Sequence, residues 1–266
     1  MKALEAIAQW PVGRAAAAVI GPDGLRAAYG PVDEPFPLAS VTKPLTALAC
    51  LIAVEEGAIE LADAAGPPGA TVEHLLAHAS GLAPDTPEPV AAPGTRRIYS
   101  NAGFEALAGH VRKATGMPFG TYAAAALAPL GLRGTVLTGS PAHGATSTVA
   151  DLSTVAGELL APKLLHPDTL LAAISVRFPG LSGVLPGYGR QDHNDWGLGF
   201  EIRDHKSPHW TGTGNSPGTY GHFGRSGTFL WVDPIARLAC VVLTDRDFGE
   251  WALPLWPALS DAVLAG

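Results

Sequence analysis

Ser40-Val41-Thr42-Lys43-Pro44, followed by an apolar run to Val54, places a hydroxyl and an amine three residues apart where a helix is expected to begin. Residues at this spacing lie on one helix face, so Lys43 can reach the Ser40 hydroxyl. Pro44 suits a first turn, because its missing N–H would have no intrahelical partner there. Apolar residues on nearly every side predict a helix that is buried all round, and Gly57 is expected to end it. The pair can form a nucleophile, although two fixed residues are a weak motif and Ser40 could simply be an N-cap beside a solvated Lys43.

The composition is that of an ordinary globular protein with a sizeable core. The chain has 266 residues, of which 47% are hydrophobic and 15% charged, and its formal net charge is -7. The negative charge argues against a nucleic acid or an anionic membrane as a partner. Only Cys50 and Cys240 occur, so reduced core thiols are expected, with a single disulfide left open. No secretion signal or membrane-spanning run is recognisable, which predicts a cytoplasmic protein unless a processed leader has been removed.

Strand patterns occur near both ends of the chain, and helical patterns lie between them. Strands are expected over residues 15–20, 25–29, 196–203, 227–233 and 238–245. The first helical signals are a short helix capped by Thr71 and ended by Gly81, and a helix over 104–111 ended by Gly116. Two further helices are opened by Pro118 and by Thr148, which forms a capping box with Asp151. A last helix is interrupted by Pro254 and Pro257.

This order predicts an α/β fold of the α+β type. An antiparallel sheet built from both chain ends and flanked by helices would carry an inserted, mostly helical subdomain. Residues 1–62 and 190–266 would form the sheet subdomain and residues 63–189 the helical one, with the active site in the cleft between them. The small-residue segment 211–219 is expected to be a flexible loop.

Two further segments carry groups suited to chemistry. Tyr99-Ser100-Asn101 precedes a helix, and a phenol near an ammonium is expected to have a lowered pKa and to exchange protons with a serine. The alternative is that Tyr99 packs and Asn101 caps the helix. The second segment is Gly221-His222-Phe223-Gly224-Arg225-Ser226-Gly227. Its glycines, within a strand pattern, indicate the close approach of another backbone or of a ligand. Free N–H groups at the edge of such a strand could stabilise an oxyanion. The alternative is a bulged hairpin strand with a partly exposed His222.

In this order, Ser40-Val41-Thr42-Lys43, Tyr99-Ser100-Asn101 and His222-Phe223-Gly224 resemble the S-x-x-K, Y-x-N and H-x-G motifs of the serine β-lactamase and penicillin-binding protein superfamily. The chain looks most like the class C-like branch, which includes family VIII esterases and D,D-peptidase or D-aminopeptidase relatives. Residues 75–82 are similar to the family's L-L-x-H-x-S-G-L segment, and residues 196–200 to the strand that leads to its third motif.

The resemblance implies an acyl-transfer mechanism. Ser40 would attack an ester or amide carbonyl, Lys43 and Tyr99 would share the proton transfers, and the backbone N–H groups of Ser40 and Arg225 would hold the oxyanion. Asn101 would bind Lys43 and the acyl side of the substrate, and Phe223, Gly224 and Arg225 would be the other substrate-binding residues. His222 stands where relatives usually carry lysine, and would hydrogen-bond towards Tyr99 and change charge near neutral pH.

Two departures from the family pattern bear on the substrate. Phe223 replaces a small hydroxyl residue that helps to bind a substrate carboxylate in many relatives, which favours a more apolar substrate. The interval of 59 residues from Ser40 to Tyr99 is short for this branch, which would leave the cleft more open.

The leading hypothesis is therefore a serine hydrolase that cleaves carboxylic esters, needs no cofactor or metal and acts on a small molecule, with its oligomeric state open. A D,D-peptidase, a D-aminopeptidase or a weak β-lactamase is the alternative within the fold, and a catalytically silent binding protein is the alternative from another class. His74 and His78 share a helix face, but no glutamate follows His74 as in zinc proteases. The loop of residues 192–195 is most simply solvated.

Overall fold

The computed structural model describes residues 1–266 and has a six-stranded antiparallel sheet at its centre. The sheet strands are β1 (Ala15–Gly21), β2 (Gly24–Tyr29), β7 (Glu201–Ile202), β8 (Tyr220–Gly224), β9 (Thr228–Asp233) and β10 (Leu238–Thr244). Their order across the sheet is β2-β1-β10-β9-β8-β7, so strands from both ends of the chain pair side by side, as predicted. Two small two-stranded sheets pair β3 (Phe36–Pro37) with β4 (Thr146–Ser147), and β5 (Gly183–Leu185) with β6 (Gly189–Gln191).

Seven α-helices surround this sheet. They are α1 (Thr42–Glu55), α2 (Val72–Leu76), α3 (Asn101–Thr115), α4 (Phe119–Leu127), α5 (Val149–Leu160), α6 (Pro167–Ala173) and α7 (Ala252–Leu264), with 3-10 turns at Lys2–Gln9, Ala39–Val41 and Ala128–Leu130. The side chains of Thr71 and Thr148 cap α2 and α5 as expected. The capping box is only half present, because the Asp151 carboxylate accepts hydrogen bonds from residues 133–135 instead.

Both faces of the sheet are buried. Along β1, Ala16, Ala18 and Ile20 belong to the core that includes α1 and α5, whereas the alternate residues belong to a second core that includes α7. Alternation between two apolar layers explains why β1 is a continuous apolar run. Helix α1 lies in the larger core with residues 42–53 all buried, and Cys50 and Cys240 are buried, unpaired thiols, as predicted.

The predicted strand over residues 196–203 is largely wrong, because only Glu201 and Ile202 join the sheet. The preceding segment turns tightly, with the Gly197 N–H bonded to the Phe200 carbonyl at 2.9 Å. Gly199 has φ +87, and a Cβ there would stand 2.3 Å from the Ala47 methyl of α1. The glycine therefore lets the chain pass directly against α1, which bends it out of the strand conformation.

Three further expectations need correction. The last helix is continuous, since Pro254 lies in its first turn and Pro257 is accommodated inside it. Helix α2 ends at Leu76, before Gly81, because His78 turns into the left-handed region at φ 53. The segment 211–219 is not loose: the carboxylates of Asp233 and Asp261 accept several of its hydrogen bonds.

Candidate active site

Ser40 lies in a 3-10 turn that leads directly into α1. Val41 is the N-cap of α1, and no side chain caps the helix, so the interpretation of Ser40 as a simple cap is wrong. Ala39, immediately before Ser40, has φ 46, a strained value for a residue with a side chain. The turn holds Ser40 half-buried at a cleft while Lys43, one turn later, is completely buried.

The Lys43 amine brings two of the predicted segments together. Its Nζ lies 2.6 Å from the Tyr99 hydroxyl, 2.7 Å from Asn101 Oδ1 and 3.4 Å from Ser40 Oγ, and it also donates to the Ala142 carbonyl at 3.0 Å. The Tyr99 hydroxyl in turn bonds to Ser40 Oγ at 2.7 Å. Serine, phenol and amine therefore form a continuous hydrogen-bonded chain. The contact with Ala142 joins residues 99 positions apart, and no sequence signal pointed to it.

Burial sets the protonation of this chain. It holds the pKa of Lys43 well below its usual value, although the carboxylates of Asp85 and Glu105 oppose the shift. It also raises the pKa of Tyr99, more than the hydrogen bond to Ser40 lowers it. The expected lowering of the Tyr99 pKa is wrong, because desolvation penalises the phenolate and the Asp85 carboxylate repels it. Both groups favour their neutral forms.

Asn101 is available to Lys43 because its neighbour caps the helix. Ser100 is the N-cap of α3 and accepts the Gly103 N–H, so the alternative in which Asn101 is the cap is wrong. The Asn101 amide nitrogen donates to Asp85 at 2.7 Å, which fixes the carbonyl oxygen towards Lys43.

The third segment forms β8, which runs past Ser40. The short strand β7 pairs with β8 only at Tyr220 and Gly221, so residues 222–224 have no strand neighbour on that side. A Cβ on Gly224 would stand 2.3 Å from the Leu38 carbonyl oxygen and 3.2 Å from the Ser40 nitrogen. Only glycine allows this approach, which brings the backbone around Arg225 beside the Ser40 turn.

His222 is fully buried and does not behave as expected. Its Nδ1 donates to the Phe223 carbonyl at 2.7 Å, its Nε2 has no partner, and no hydrogen bond joins it to Tyr99, whose ring centroid is 5.7 Å away. Burial lowers the pKa of His222 to about 3. The imidazole is therefore neutral near pH 7, and both the predicted charge change and the partly exposed alternative are wrong.

Ser40, Tyr99 and Asn101 open into a cavity of about 450 Å³. Its other walls are formed by the turn after β5 and by aromatic and polar residues, namely Leu185, Pro186, Gly187, Trp196, Glu201, His222, Phe223, Arg225 and Phe248. Phe223 is half-buried and packs against Tyr188, Trp210, Phe248 and Trp256, with ring centroids 5.1 to 6.0 Å apart. The Arg225 side chain is 88% exposed and lies loosely beside Asp247 at 3.8 Å.

Glu201 is a buried carboxylate at this cavity that the sequence reasoning missed. It bonds to Lys206, to His209 Nε2 at 3.0 Å and to Trp210 Nε1 at 3.0 Å. Burial alone would raise the pKa of Glu201, but Lys206 and His209 outweigh this and lower it. The sequence signal that could have identified it is the presence of two basic residues, Lys206 and His209, within eight positions of Glu201.

Other polar residues considered from the sequence lie outside this arrangement. The Nδ1 atom of His78 accepts the Ser100 N–H at 3.1 Å, and His74 stacks on Phe178 at 4.3 Å. The loop of residues 192–195 is only partly solvated, because Asn194 and Asp195 are buried. None of the helices has the length and apolar character needed to cross a bilayer.

Comparison with known proteins places this geometry in a family. The family model described as Beta-lactamase matches residues 13–264. A crystal structure of a beta-lactamase from Mycobacterium bovis is 60% identical, with a TM-score of 0.98 over 99% of this chain and 98% of that one. No curated protein sequence matches the chain.

More distant structures share the fold. Simvastatin synthase from Aspergillus terreus is 18% identical, with a TM-score of 0.79 over 99% of this chain and 97% of that one. EstCE1, a hydrolase with promiscuous acyltransferase activity, is also 18% identical, with a TM-score of 0.80 over 98% of this chain and 96% of that one. With the family model covering almost its whole length, the chain belongs to the beta-lactamase family, whose fold is that of a hydrolase.

Proposed function

We propose that the protein is a serine hydrolase that cleaves carboxylic esters through an acyl-enzyme on Ser40. The observation that carries the proposal is the hydrogen-bonded chain from Ser40 Oγ through the Tyr99 hydroxyl to the buried Lys43 amine, with distances of 2.7 and 2.6 Å. These are separations at which protons transfer between side chains. A binding protein would have no need of a buried amine aligned with a cleft hydroxyl.

Acylation begins with Lys43 as a neutral amine. Ser40 gives its proton to the Tyr99 oxygen as the Tyr99 proton passes to Lys43, and Ser40 Oγ then attacks the ester carbonyl carbon. The backbone N–H groups of Ser40 and Arg225 stabilise the oxyanion, since Gly224 allows the two segments to meet. Asn101 orients the Lys43 amine through its carbonyl oxygen, 2.7 Å away.

Collapse of the tetrahedral intermediate returns the proton. It moves from Lys43 through Tyr99 to the alcohol oxygen as the carbon–oxygen bond breaks, which leaves the acyl group on Ser40. Water then attacks the acyl-enzyme after giving a proton to the same pair, and the carboxylic acid departs with Ser40 restored. Neutral His222 donates to the Phe223 carbonyl of its own strand and contributes no positive charge near pH 7.

The cavity wall favours an apolar substrate. Phe223, Phe248 and Leu185 present apolar surface to the cavity. The position that holds a lysine in many relatives is a neutral histidine here, so no cation stands there to bind a substrate carboxylate. These features favour a simple ester over a lactam or a D-amino-acid peptide.

Hydrolysis of β-lactams is the second candidate, because a structure 60% identical to this chain is named a beta-lactamase. The test compares wild type with Ser40→Ala on short-chain 4-nitrophenyl esters, a chromogenic cephalosporin and a D-alanyl peptide, with Ser175→Ala, at an exposed serine just after α6, as a matched control. A fluorophosphonate adduct on Ser40 is sought by mass spectrometry.

The esterase function is supported if wild type and Ser175→Ala hydrolyse the esters, Ser40→Ala does not, and wild type does not hydrolyse the cephalosporin. Faster turnover of the cephalosporin than of any ester supports the second candidate instead. No turnover and no adduct would show that the scaffold serves a binding role.

A further inference from the structure

A second recess adjoins the catalytic cavity. It has a volume of about 320 Å³ and shares Tyr99 and Pro186 with that cavity. The segment 96–98 forms one side, and residues 182–184 with Arg190, from the β5–β6 hairpin, form the other. Tyr99 and Pro186 therefore form the border between the recess and the cavity at Ser40.

The recess is basic in a chain with a net charge of -7. Arg96 is exposed and makes no ion pair or hydrogen bond with the protein. Arg190 is 72% exposed, and its single ion pair is a 3.8 Å contact with Asp192, which is itself 90% exposed. Two guanidinium groups are thus available to a ligand, since such solvated pairs hold an arginine only weakly.

Neighbouring charges do not cancel these two arginines. Arg97 adds a third positive charge beneath the recess, although its own donors are used by four backbone carbonyls. On the Tyr99 side, the Asp85 carboxylate already accepts a hydrogen bond from the Asn101 amide. An anion entering the recess would therefore meet the unpaired guanidinium of Arg96 and the weakly paired guanidinium of Arg190.

The position of Tyr99 determines which part of the substrate enters. In the proposed reaction Tyr99 hands a proton to the departing alcohol, so that oxygen must lie within hydrogen-bonding reach of its hydroxyl. Tyr99 lines both the cavity and the recess. The alcohol portion therefore lies towards Tyr99, and a group on it that reaches past Tyr99 would enter the recess.

We propose that the recess is a leaving-group subsite in which Arg96 and Arg190 bind an anionic group, such as a carboxylate, on the alcohol portion of the ester. This inference rests on the proposed esterase function and names its substrate class. Guanidinium groups suit the role because they pair with carboxylates in a planar, bidentate manner.

The test uses two butyrate esters that differ in one group, 3-carboxyphenyl butyrate and its neutral isostere 3-carbamoylphenyl butyrate. The ratio of their kcat/KM values is compared between wild type, Arg96→Gln, Arg190→Gln and the double variant. We expect the ratio to fall about three- to tenfold for each arginine removed, as for charge-assisted contacts at a partly exposed site. It should also fall in wild type as NaCl rises from about 0.05 to 0.5 M, because salt screens exposed charges.

Two controls separate charge at the recess from general effects. Arg96→Lys should retain part of the preference, and Arg112→Gln, in the last turn of α3, should leave both kcat/KM values unchanged. A ratio that is the same in wild type and the double variant would overturn the subsite while leaving the esterase intact. The subsite is also overturned if the two arginines raise kcat/KM more for phenyl hemiglutarate, whose carboxylate lies on the acyl portion, than for 3-carboxyphenyl butyrate.

A binding measurement keeps the subsite testable if no ester turns over, an outcome that would overturn the esterase itself. Calorimetry on Ser40→Ala compares 3-hydroxybenzoate with 3-hydroxybenzamide. Tighter binding of the carboxylate that disappears when Arg96 and Arg190 are also replaced supports the subsite. Equal affinity of the two phenols would refute it.

Discussion

Replacing Tyr99 with phenylalanine tests the proton pathway while retaining the buried ring. The change deletes an oxygen that lies 2.6 Å from Lys43 Nζ and 2.7 Å from Ser40 Oγ. What remains between serine and amine is a 3.4 Å gap, longer than the separations at which side chains exchange protons directly. We expect kcat to fall about 10²- to 10⁴-fold, the usual contribution of general acid–base catalysis, with KM little changed. This corresponds to about 3–5 kcal/mol in the barrier.

The same change should cost little stability. Lys43 keeps Asn101 Oδ1 at 2.7 Å and the Ala142 carbonyl at 3.0 Å, so the lost hydrogen bonds amount to about 1–2 kcal/mol. Steady-state hydrolysis of 4-nitrophenyl butyrate measures the rate, and thermal unfolding followed by circular dichroism measures the stability. Tyr122→Phe is the matched control, since Tyr122 is also a buried tyrosine whose hydroxyl makes a 2.7 Å bond, to Glu56. A folded Tyr99→Phe enzyme with kcat within tenfold of wild type would refute proton transfer from Ser40 to Lys43 through the Tyr99 hydroxyl.

The remaining predictions concern pH, charge and the cavity wall. Burial lowers the pKa of Lys43, and the neutral amine is the active form. We therefore expect kcat to rise with pH and to reach a plateau at a pH well below the usual lysine pKa. A kcat that still rises at pH 10 would contradict this. The pKa of His222, lowered to about 3, predicts that His222→Asn leaves the shape of the profile between pH 5 and 8 unchanged. Glu201→Gln leaves Lys206 buried without its counterion and should cost about 3–5 kcal/mol in urea unfolding, most of which adding Lys206→Met should restore. Phe223→Thr should raise kcat/KM for the carboxylate-bearing cephalosporin relative to 4-nitrophenyl butyrate, and no gain would refute our account of that position.

Local patterns predicted most of the secondary structure. The all-round apolar helix after Ser40 and the apolar strands β1 and β10 are buried, because continuous apolar runs of this kind have to lie between two packed layers. The strand over residues 196–203 failed for a tertiary reason. Gly199 is where the chain passes against Ala47, and nothing in the strand-like pattern around it reveals that contact.

The members of the site could be named from the sequence, but their electrostatics could not. The segments of Ser40, Tyr99 and Asn101 do meet at Lys43 as the motifs predicted. Their pKa values depend on desolvation, which a one-dimensional pattern does not contain. The lowered pKa expected for Tyr99 and the change of charge near neutral pH expected for His222 were therefore wrong. Glu201 was missed for a related reason, since a lone glutamate after a glycine-rich segment is usually a solvated residue.

Burial explains why the site would work as a neutral relay rather than as an ion pair. An ammonium at Lys43 could donate to Tyr99, Asn101 and the Ala142 carbonyl but would have no lone pair with which to accept a proton. A neutral amine donates to Asn101 and Ala142 and turns its lone pair towards Tyr99, which then accepts from Ser40. The two acceptors thus orient the amine, and the surrounding apolar core of α1 disfavours its charge. The packing that buries α1 therefore also prepares Lys43 to act as a base, so a variant that admits water beside α1 should lose activity before it loses the fold.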